Sequence, residues 1–475
     1  MIKFGTEGWR GIIGDDFNFN NIKIVSKTIC NYVLQVIKEN KKIIIGYDTR
    51  FLSDKFAEIS ADIFDKNGFN VLISNSPVTS PNISYSTKFE NSNIGIMITA
   101  SHNPYKFNGL KIKANYGGPI PDWVAKEIEK MIPENLNVKF QENFSAEKKI
   151  NKYDFKKSYI EYLKLNFDFT NINRLLKNNK IVIDYFYGTT IGYLENILNK
   201  KNLIELNCNY DPLFGGLNPE PVVESNLLKL KNTVKKEKAL LGIAFDGDGD
   251  RVGIIDDKGN YLTPHIVFPL ILYFLVEYKK LKGKVVQALS LGYLSERISK
   301  EYNLEFEETS VGFKNICEKM LKENVLLGGE ESGGYAINSQ IPERDGFISG
   351  LTLLEMLVFT GKRLSDLVKE LQKKFGKSYF IRKDIHLSKL FFDKNEFTKN
   401  VVNLLPFKIL NDKIKEIRQY DGVKIIFNDD SWLLLRPSGT EPLIRIYSET
   451  SDLDKTKKLV DYGEKILKIF QRRKI

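Results

Sequence analysis

Ile94-Gly95-Ile96-Met97-Ile98 runs directly into Thr99-Ala100-Ser101-His102-Asn103-Pro104. The apolar run reads as a buried strand, and Asn103-Pro104 reads as the turn that stops it. Ser101 then stands on a loop at a strand end, which is where open α/β sheets place their chemistry. A bare hydroxyl is a weak nucleophile and needs a base, a metal or a strong field beside it. His102 is adjacent in sequence, but a serine that only hydrogen-bonds its own turn is the plainer reading of this loop taken alone. The rest of the chain decides between the two.

A chain of 475 residues is too long for one core and predicts three or four domains. Hydrophobic residues at 42% and charged residues at 28% match an ordinary soluble globular protein. Met1-Ile2-Lys3-Phe4-Gly5-Thr6-Glu7 lacks the apolar core of a signal peptide. The apolar run 266–276 contains Pro269 and is too short to span a bilayer. Cys30, Cys208 and Cys317 are far apart and odd in number, so they form neither a disulfide framework nor a metal-ligand spacing. A reducing cytoplasm is the expected compartment. The net charge of +11 invites a nucleic-acid reading, but the lysines are scattered, with no basic tail and no nucleic-acid motif. Solvated lysine faces account for the charge, and a small anionic substrate would also profit from the field. No nucleic-acid and no membrane partner is expected, and both a monomer and a homodimer fit.

Strand-like runs at 42–46, 71–74 and 94–98 alternate with helical stretches such as 20–38, as in an α/β layer structure. A polar, charged segment over 133–149 reads as a linker. The pattern restarts with a helix near 153–165, a strand at 180–184, a Gly/Asn/Pro-rich loop over 211–221 and a strand at 240–245. Thr263-Pro264 reads as an N-cap and first-turn proline for a helix to about Tyr278. Strands at 284–289 and 325–327 and a helix at 349–360 follow. A charged helix at 364–374 and Gly376 mark another boundary. Beyond it, strands at 379–385, 422–427, 432–436 and 443–448 precede a C-terminal helix, an α+β pattern. The expected fold class is α/β, with α/β domains at 1–150, 151–256 and 257–376 and an α+β domain at 377–475.

Four further loops carry chemistry. Asp246-Gly247-Asp248-Gly249-Asp250-Arg251 lies between two apolar strands, and alternate carboxylates spaced by glycine can turn three oxygens onto one cation, with Mg²⁺ the expected guest. An EF-hand wants glycine where Arg251 stands and glutamate where Asp257 stands, which leaves a solvated acidic turn as the alternative. Arg436-Pro437-Ser438-Gly439-Thr440-Glu441-Pro442 offers a guanidinium, two hydroxyls and glycine-permitted N–H groups, a donor set suited to phosphate. Gly328-Gly329-Glu330-Glu331-Ser332-Gly333-Gly334 offers acceptors for sugar hydroxyls or, alternatively, surface charges on a flexible loop. Gly5-Thr6-Glu7-Gly8-Trp9-Arg10-Gly11 reads as a glycine-rich loop that supplies another arginine.

In their order and over nearly the whole chain, Thr99 to Pro104, Asp246 to Arg251, Gly329-Glu330-Glu331-Ser332-Gly333 and Arg436 to Pro442 resemble the α-D-phosphohexomutase superfamily, most nearly its phosphoglucomutase branch. The resemblance implies four domains around a central cleft: three similar α/β units with mixed sheets and a smaller C-terminal α+β unit. It implies that Ser101 is a phosphoserine and that Asp246, Asp248 and Asp250 hold Mg²⁺ together with the phosphate on Ser101. Arg251, Gly312, Lys314, Glu330 and Ser332 would contact the substrate, and Arg436, Ser438, Gly439 and Thr440 would hold its non-reacting phosphate. Arg10, His102 and Lys111 would surround the transfer centre, with Lys111 as general acid/base and Lys314 as a phosphate contact or second acid/base; either lysine also reads as ordinary surface decoration.

The activity so implied is reversible phosphoryl transfer between the 1- and 6-positions of a hexose phosphate, glucose 1-phosphate to glucose 6-phosphate. A hexose 1,6-bisphosphate serves as intermediate and activator. Closure of the last domain would keep water from the phosphoenzyme. Gly312-Phe313-Lys314 and Glu330-Glu331-Ser332 favour glucose over the phosphomannomutase branch, which tends to carry histidine where Phe313 and Gly334 stand. The phosphoglucosamine mutase branch usually has Gln at the Glu331 position, and many members have a smaller residue at Trp9, so all three sugars stay open. Two other classes also stay open: a metal-dependent sugar phosphatase using an aspartate such as Asp246 as nucleophile, and a non-catalytic sugar-phosphate-binding protein.

Overall fold

The computed structural model of the chain describes residues 2–5, 8–37, 41–136, 150–337, 341–387, 393–438 and 443–472. Most of the expected linker, from 137 onward, lies outside them.

The first sheet has seven strands in the order Phe4–Gly5, Gly8–Ile12, Phe107–Ala114, Ile94–Ile98, Lys42–Tyr47, Asn70–Ser74 and Asn151–Tyr153. Pairing is parallel from Ile94–Ile98 through Lys42–Tyr47 to Asn151–Tyr153 and antiparallel on the other side, so the sheet is mixed. Ile44, Ile45, Ile96 and Ile98 are wholly buried, as expected of a sheet covered on both faces. Ser101 lies just beyond Ile98, on the loop that leads back into Phe107–Ala114.

The second sheet runs Tyr261–Leu262, Val252–Ile255, Gly242–Phe245, Ile181–Asp184, Leu203–Leu206, and the third runs Phe306–Thr309, Lys284–Ala288, Val325–Gly329, Tyr335–Ile337. Both are mixed. The fourth is a six-stranded antiparallel sheet, Tyr379–His386, Leu443–Thr450, Trp432–Pro437, Val423–Phe427, Asp412–Arg418, Lys408–Ile409. Helix Leu453–Arg472 covers it through Leu459, Ile466 and Leu467. Three mixed α/β units and an antiparallel α+β unit are the architecture the sequence implies. One apolar core runs through the second and third units and takes in Trp432 and Tyr447 of the fourth, while the first keeps its own.

Three local expectations are corrected. Arg10 lies not on a loop but on strand Gly8–Ile12, opposite Gly109. Two glycines in five residues hide its alternation, and pairing with Phe107–Ala114 overrides that weak propensity. Strand Phe107–Ala114 is not among the sequence-predicted elements, and Lys111, whose plainer reading is surface decoration, is buried in it together with Lys113. The helix from Pro264 is α-helical only to Tyr273 and closes with a π-helical turn over Phe274–Tyr278, and the Thr263 side chain makes no capping bond. Among the described residues no helix is long and apolar enough to cross a membrane.

The fourth unit meets the third at His265, whose ring stacks on Phe380 with centroids 3.6 Å apart. His265 Nε2 lies 2.9 Å from the Ser290 carbonyl, so the proton sits on Nε2, and the buried Nδ1 has no partner. Burial, helped by the charge of Lys424, lowers its pKa from 6.5 to about 3, although the Ser290 bond opposes the shift. Below its ordinary pKa the unfolded chain therefore binds a proton that the folded chain refuses, and stability falls as pH drops. Between about pH 6.5 and pH 5 this amounts to about 1.5 kcal/mol. His265→Gln, which keeps a donor toward Ser290, should lose that much less over the interval in urea unfolding followed by tryptophan emission; parallel losses in the two proteins would refute the assignment.

Candidate active site

The loop 246–251 packs three carboxylates at zero exposure between strands Gly242–Phe245 and Val252–Ile255. One oxygen from each of Asp246, Asp248 and Asp250 can lie within 4.8 Å of the others. The serine loop rests directly on this turn, since a Cβ at Gly247 would come 2.5 Å from the Ser101 carbonyl oxygen. Ser101 Oγ donates to Asp246 Oδ2 at 2.9 Å. Asp248 Oδ2 accepts from Ser80 Oγ at 2.6 Å and from Lys111 Nζ at 2.7 Å. Asp250 Oδ2 accepts from Lys111 Nζ at 3.0 Å and from the Arg344 guanidinium at 2.8 Å. The second oxygens, Asp248 Oδ1 and Asp250 Oδ1, are buried without a hydrogen-bond partner. Orphaned carboxylate oxygens grouped beside a hydroxyl form a donor set that fits a hard divalent cation such as Mg²⁺.

Burial pushes all three carboxyls up, and cations decide the outcome. Lys111 overrides burial at Asp248, and Arg344, with Lys111 and Arg251 behind it, overrides burial at Asp250, so both are held below the usual carboxylate range. Asp246 stays well above it, through burial first and then the charges of Asp250 and Asp248, against which Arg251 and Lys111 pull. Arg251 Nε stands 3.9 Å from Asp246 Oδ2 and 3.8 Å from Asp250 Oδ1.

Ser101 has a left-handed backbone, φ +53°, which costs a residue with a Cβ about 1–2 kcal/mol. Arg50 holds it there. Its guanidinium donates to the carbonyls of Ser101 (2.7 Å), Asn103 (2.6 Å), Pro104 (2.9 Å) and Phe107 (3.0 Å), while Nε pairs with Asp48 at 3.1 Å. Thr99 Oγ1 accepts from the Ser101 N–H at 2.8 Å. His102 Nδ1 lies 3.4 Å from Ser101 Oγ, and Arg10 reaches the loop by donating to Asn103 Oδ1 at 2.5 Å.

Glu330 joins this group from the third unit. It accepts from the Gly312 N–H at 2.9 Å and from Arg344 at 3.1 Å, and the same Arg344 binds Asp250. Ser332 Oγ is buried and unpartnered, and the adjacent Gly333 carbonyl accepts from the Val252 N–H at 2.9 Å. Arg436 is tied to the Gly312 loop through Asp421, whose Oδ2 takes Arg436 Nε at 2.8 Å and the Val311 N–H at 3.0 Å. Ser438 is buried just beyond strand Trp432–Pro437, which carries Arg436; Gly439 and Thr440 lie outside the described residues. Lys314 is engaged elsewhere, with Nζ 2.5 and 2.6 Å from the two Asp122 oxygens.

Sequence reading missed Ser80, Arg50 and Arg344. Ser80 and Arg50 carry no signal beyond residue type. Arg344 stands in Glu343-Arg344-Asp345, an alternating charge triplet set against the apolar helix Gly346–Thr360, and buried acids elsewhere in the chain would call for such a base.

Comparison with known proteins agrees with this geometry. Residues 1–139, 157–259, 263–375 and 397–463 match, in turn, the phosphoglucomutase/phosphomannomutase alpha/beta/alpha domains I, II and III and the C-terminal domain. The chain is 30% identical to a phosphoglucosamine mutase of Caldicellulosiruptor bescii over 460 residues, 96% of each protein. It is 30% identical to a phosphoglucomutase/phosphomannomutase of Thermococcus kodakarensis over 472 residues, 98% of each. A crystal structure assigned provisionally as a phosphomannomutase, from Thermus thermophilus, superposes with a TM-score of 0.85 at 29% identity, covering 98% of this chain and 99% of the other. The chain belongs to the phosphoglucomutase/phosphomannomutase family of the α-D-phosphohexomutase superfamily, whose members are phosphotransferases of the isomerase class.

Lys111 is the shared counter-ion of Asp248 and Asp250 and is itself buried. Lys111→Met should therefore lose about 3–5 kcal/mol of unfolding free energy in EDTA by denaturant titration. Adding Asp248→Asn to it should restore much of that loss, and a double variant no more stable than Lys111→Met would contradict the pairing.

Proposed function

We propose that this phosphohexomutase moves a phosphoryl group between O1 and O6 of a hexose phosphate, with Ser101 carrying the group between visits. The observation that supports it best is Ser101 Oγ at 2.9 Å from Asp246 within a buried acid cluster that keeps two carboxylate oxygens unpartnered. In this reading phospho-Ser101 gives its phosphoryl group to the free sugar hydroxyl, forming the 1,6-bisphosphate. The intermediate then turns over and returns its other phosphoryl group to Ser101.

Asp246, Asp248 and Asp250 would hold Mg²⁺, which when bound offsets charge on the transferring oxygens. Lys111, already hydrogen-bonded to two of these acids, is the group nearest to hand for moving a proton, with His102 beside the serine hydroxyl. Arg10 positions the loop through Asn103, and Arg50 fixes the left-handed serine so that no reorganisation is required at the moment of transfer. Glu330 and Ser332 would receive sugar hydroxyls beside the Gly312 turn. Arg436 and Ser438, with Gly439 and Thr440, would hold the phosphate at rest; Arg251 and Lys314 would contact the substrate, Lys314 by leaving Asp122.

The sugar we assign first is glucose, from the Phe313, Glu331 and Gly334 pattern. A 2-amino sugar is supported at least as well, because relatives at 30% identity over nearly the whole chain are named phosphoglucosamine mutase. Mannose is the third arm.

Phosphorus NMR decides among them. With Mg²⁺ and a catalytic amount of the matching 1,6-bisphosphate, the protein should convert glucose 1-phosphate to the 6-phosphate, and Ser101→Ala should lower the rate by at least about a thousandfold. Faster conversion of glucosamine 1-phosphate or mannose 1-phosphate reassigns the sugar; inorganic phosphate alone makes the protein a phosphatase, and binding without turnover makes it a carrier.

A further inference from the structure

Glu343-Arg344-Asp345 belongs to none of the five loops read from the sequence, yet each of its side chains ends in a different place. Glu343 is buried against Lys113 of strand Phe107–Ala114 and lies 3.4 Å from Ser84 Oγ, both in the first unit. Asp345 accepts from the Tyr159 hydroxyl and caps helix Gly346–Thr360 through the Ile348 N–H at 3.1 Å. Between them Arg344, 2% exposed, donates through one terminal nitrogen to Asp250 at 2.8 Å and through the other to Glu330 at 3.1 Å. Its guanidinium carbon lies 5.2 Å from the centre of the Phe313 ring. Gly334 gives it room, since a Cβ there would fall 2.3 Å from Arg344 Cδ.

A guanidinium this dry is held in place by both carboxylates: Asp250 has Lys111 and Arg251 as further cations, and Arg344 is the one it shares with Glu330. Both of those carboxylates belong to ligand sites in the functional reading above: Asp250 to the metal loop and Glu330 to the sugar loop. Arg344 is thus shared between two ligand-facing acids. Charge brought to Asp250 by a cation weakens its claim on Arg344, and the guanidinium then holds Glu330 more firmly in one place.

We infer that Arg344 is a positioning residue that couples the two loops, so that Mg²⁺ at the aspartates tightens sugar-phosphate binding and the sugar phosphate tightens Mg²⁺ by the same factor. The inference rests on the assignment of Asp250 to the metal and Glu330 to the sugar, and the test separates the two.

The full-length Ser101→Ala chain, in which no phosphoryl group can move, is titrated calorimetrically with glucose 6-phosphate and with glucosamine 6-phosphate, in EDTA and in saturating Mg²⁺. Mg²⁺ should tighten binding of the preferred sugar by about fivefold or more. With Arg344→Gln added, the factor should fall below about twofold, and Arg344→Lys should restore part of it. Glu330→Gln, which removes the other arm without unpairing a buried acid, should abolish the factor independently, and Arg344→Gln should add nothing to it. Coupling that survives both Arg344→Gln and Glu330→Gln overturns the inference alone. Absence of binding by either sugar phosphate overturns the functional reading and the inference with it.

Discussion

Three carboxylates with no exposure, inside six residues of chain, set the terms for the rest of this molecule. Buried acids so close cannot all stay charged unless cations are delivered to them. The loop supplies one such cation itself, Arg251; the others come from elsewhere. Lys111 arrives on a strand of the first sheet and Arg344 from the start of a helix in the third unit. The electrostatic demand of one turn thereby fixes how three α/β units meet, and backbone bonds such as Ser80 N–H to Asp248 and Gly346 N–H to Gly249 stitch the same junction. The contacts that dock the units are the same contacts that assemble the site.

The serine loop shows the same economy in another form. Its left-handed residue is supported by the Arg50 guanidinium, which satisfies four carbonyls between Ser101 and Phe107 at once, and Asp48 neutralises Arg50 in turn. The ring of Phe214, in the second unit, packs against that guanidinium, with its centroid 4.8 Å from the guanidinium carbon. Two units thus converge on the backbone of Ser101 as well as on its hydroxyl.

The main architecture and the loops were legible because apolar runs broken by glycine and charge are local signals, and a strand followed by Asp-Gly-Asp-Gly-Asp has few structural meanings. What stayed hidden was non-local. Lys111 and Lys113 look like solvent charges until the acids they meet, Asp248, Asp250 and Glu343, are brought across from distant sequence. Arg10 looks like a loop residue because the pairing that makes Gly8–Ile12 a strand is supplied by residues far along the chain, at 107–110. Arg50 and Arg344 bond to main-chain carbonyls and to buried acids, partners that leave no trace in spacing. Lys314 illustrates the opposite case, a residue whose type fits a ligand role while its ammonium rests on Asp122.

Gly334 and Arg344 fill a single volume, with 2.3 Å left where a Cβ would go. A side chain at 334 would therefore have to displace the stem of Arg344, and because the guanidinium at the end of that stem is shared by Asp250 and Glu330, a change in the loop 328–334 would be felt at the loop 246–251.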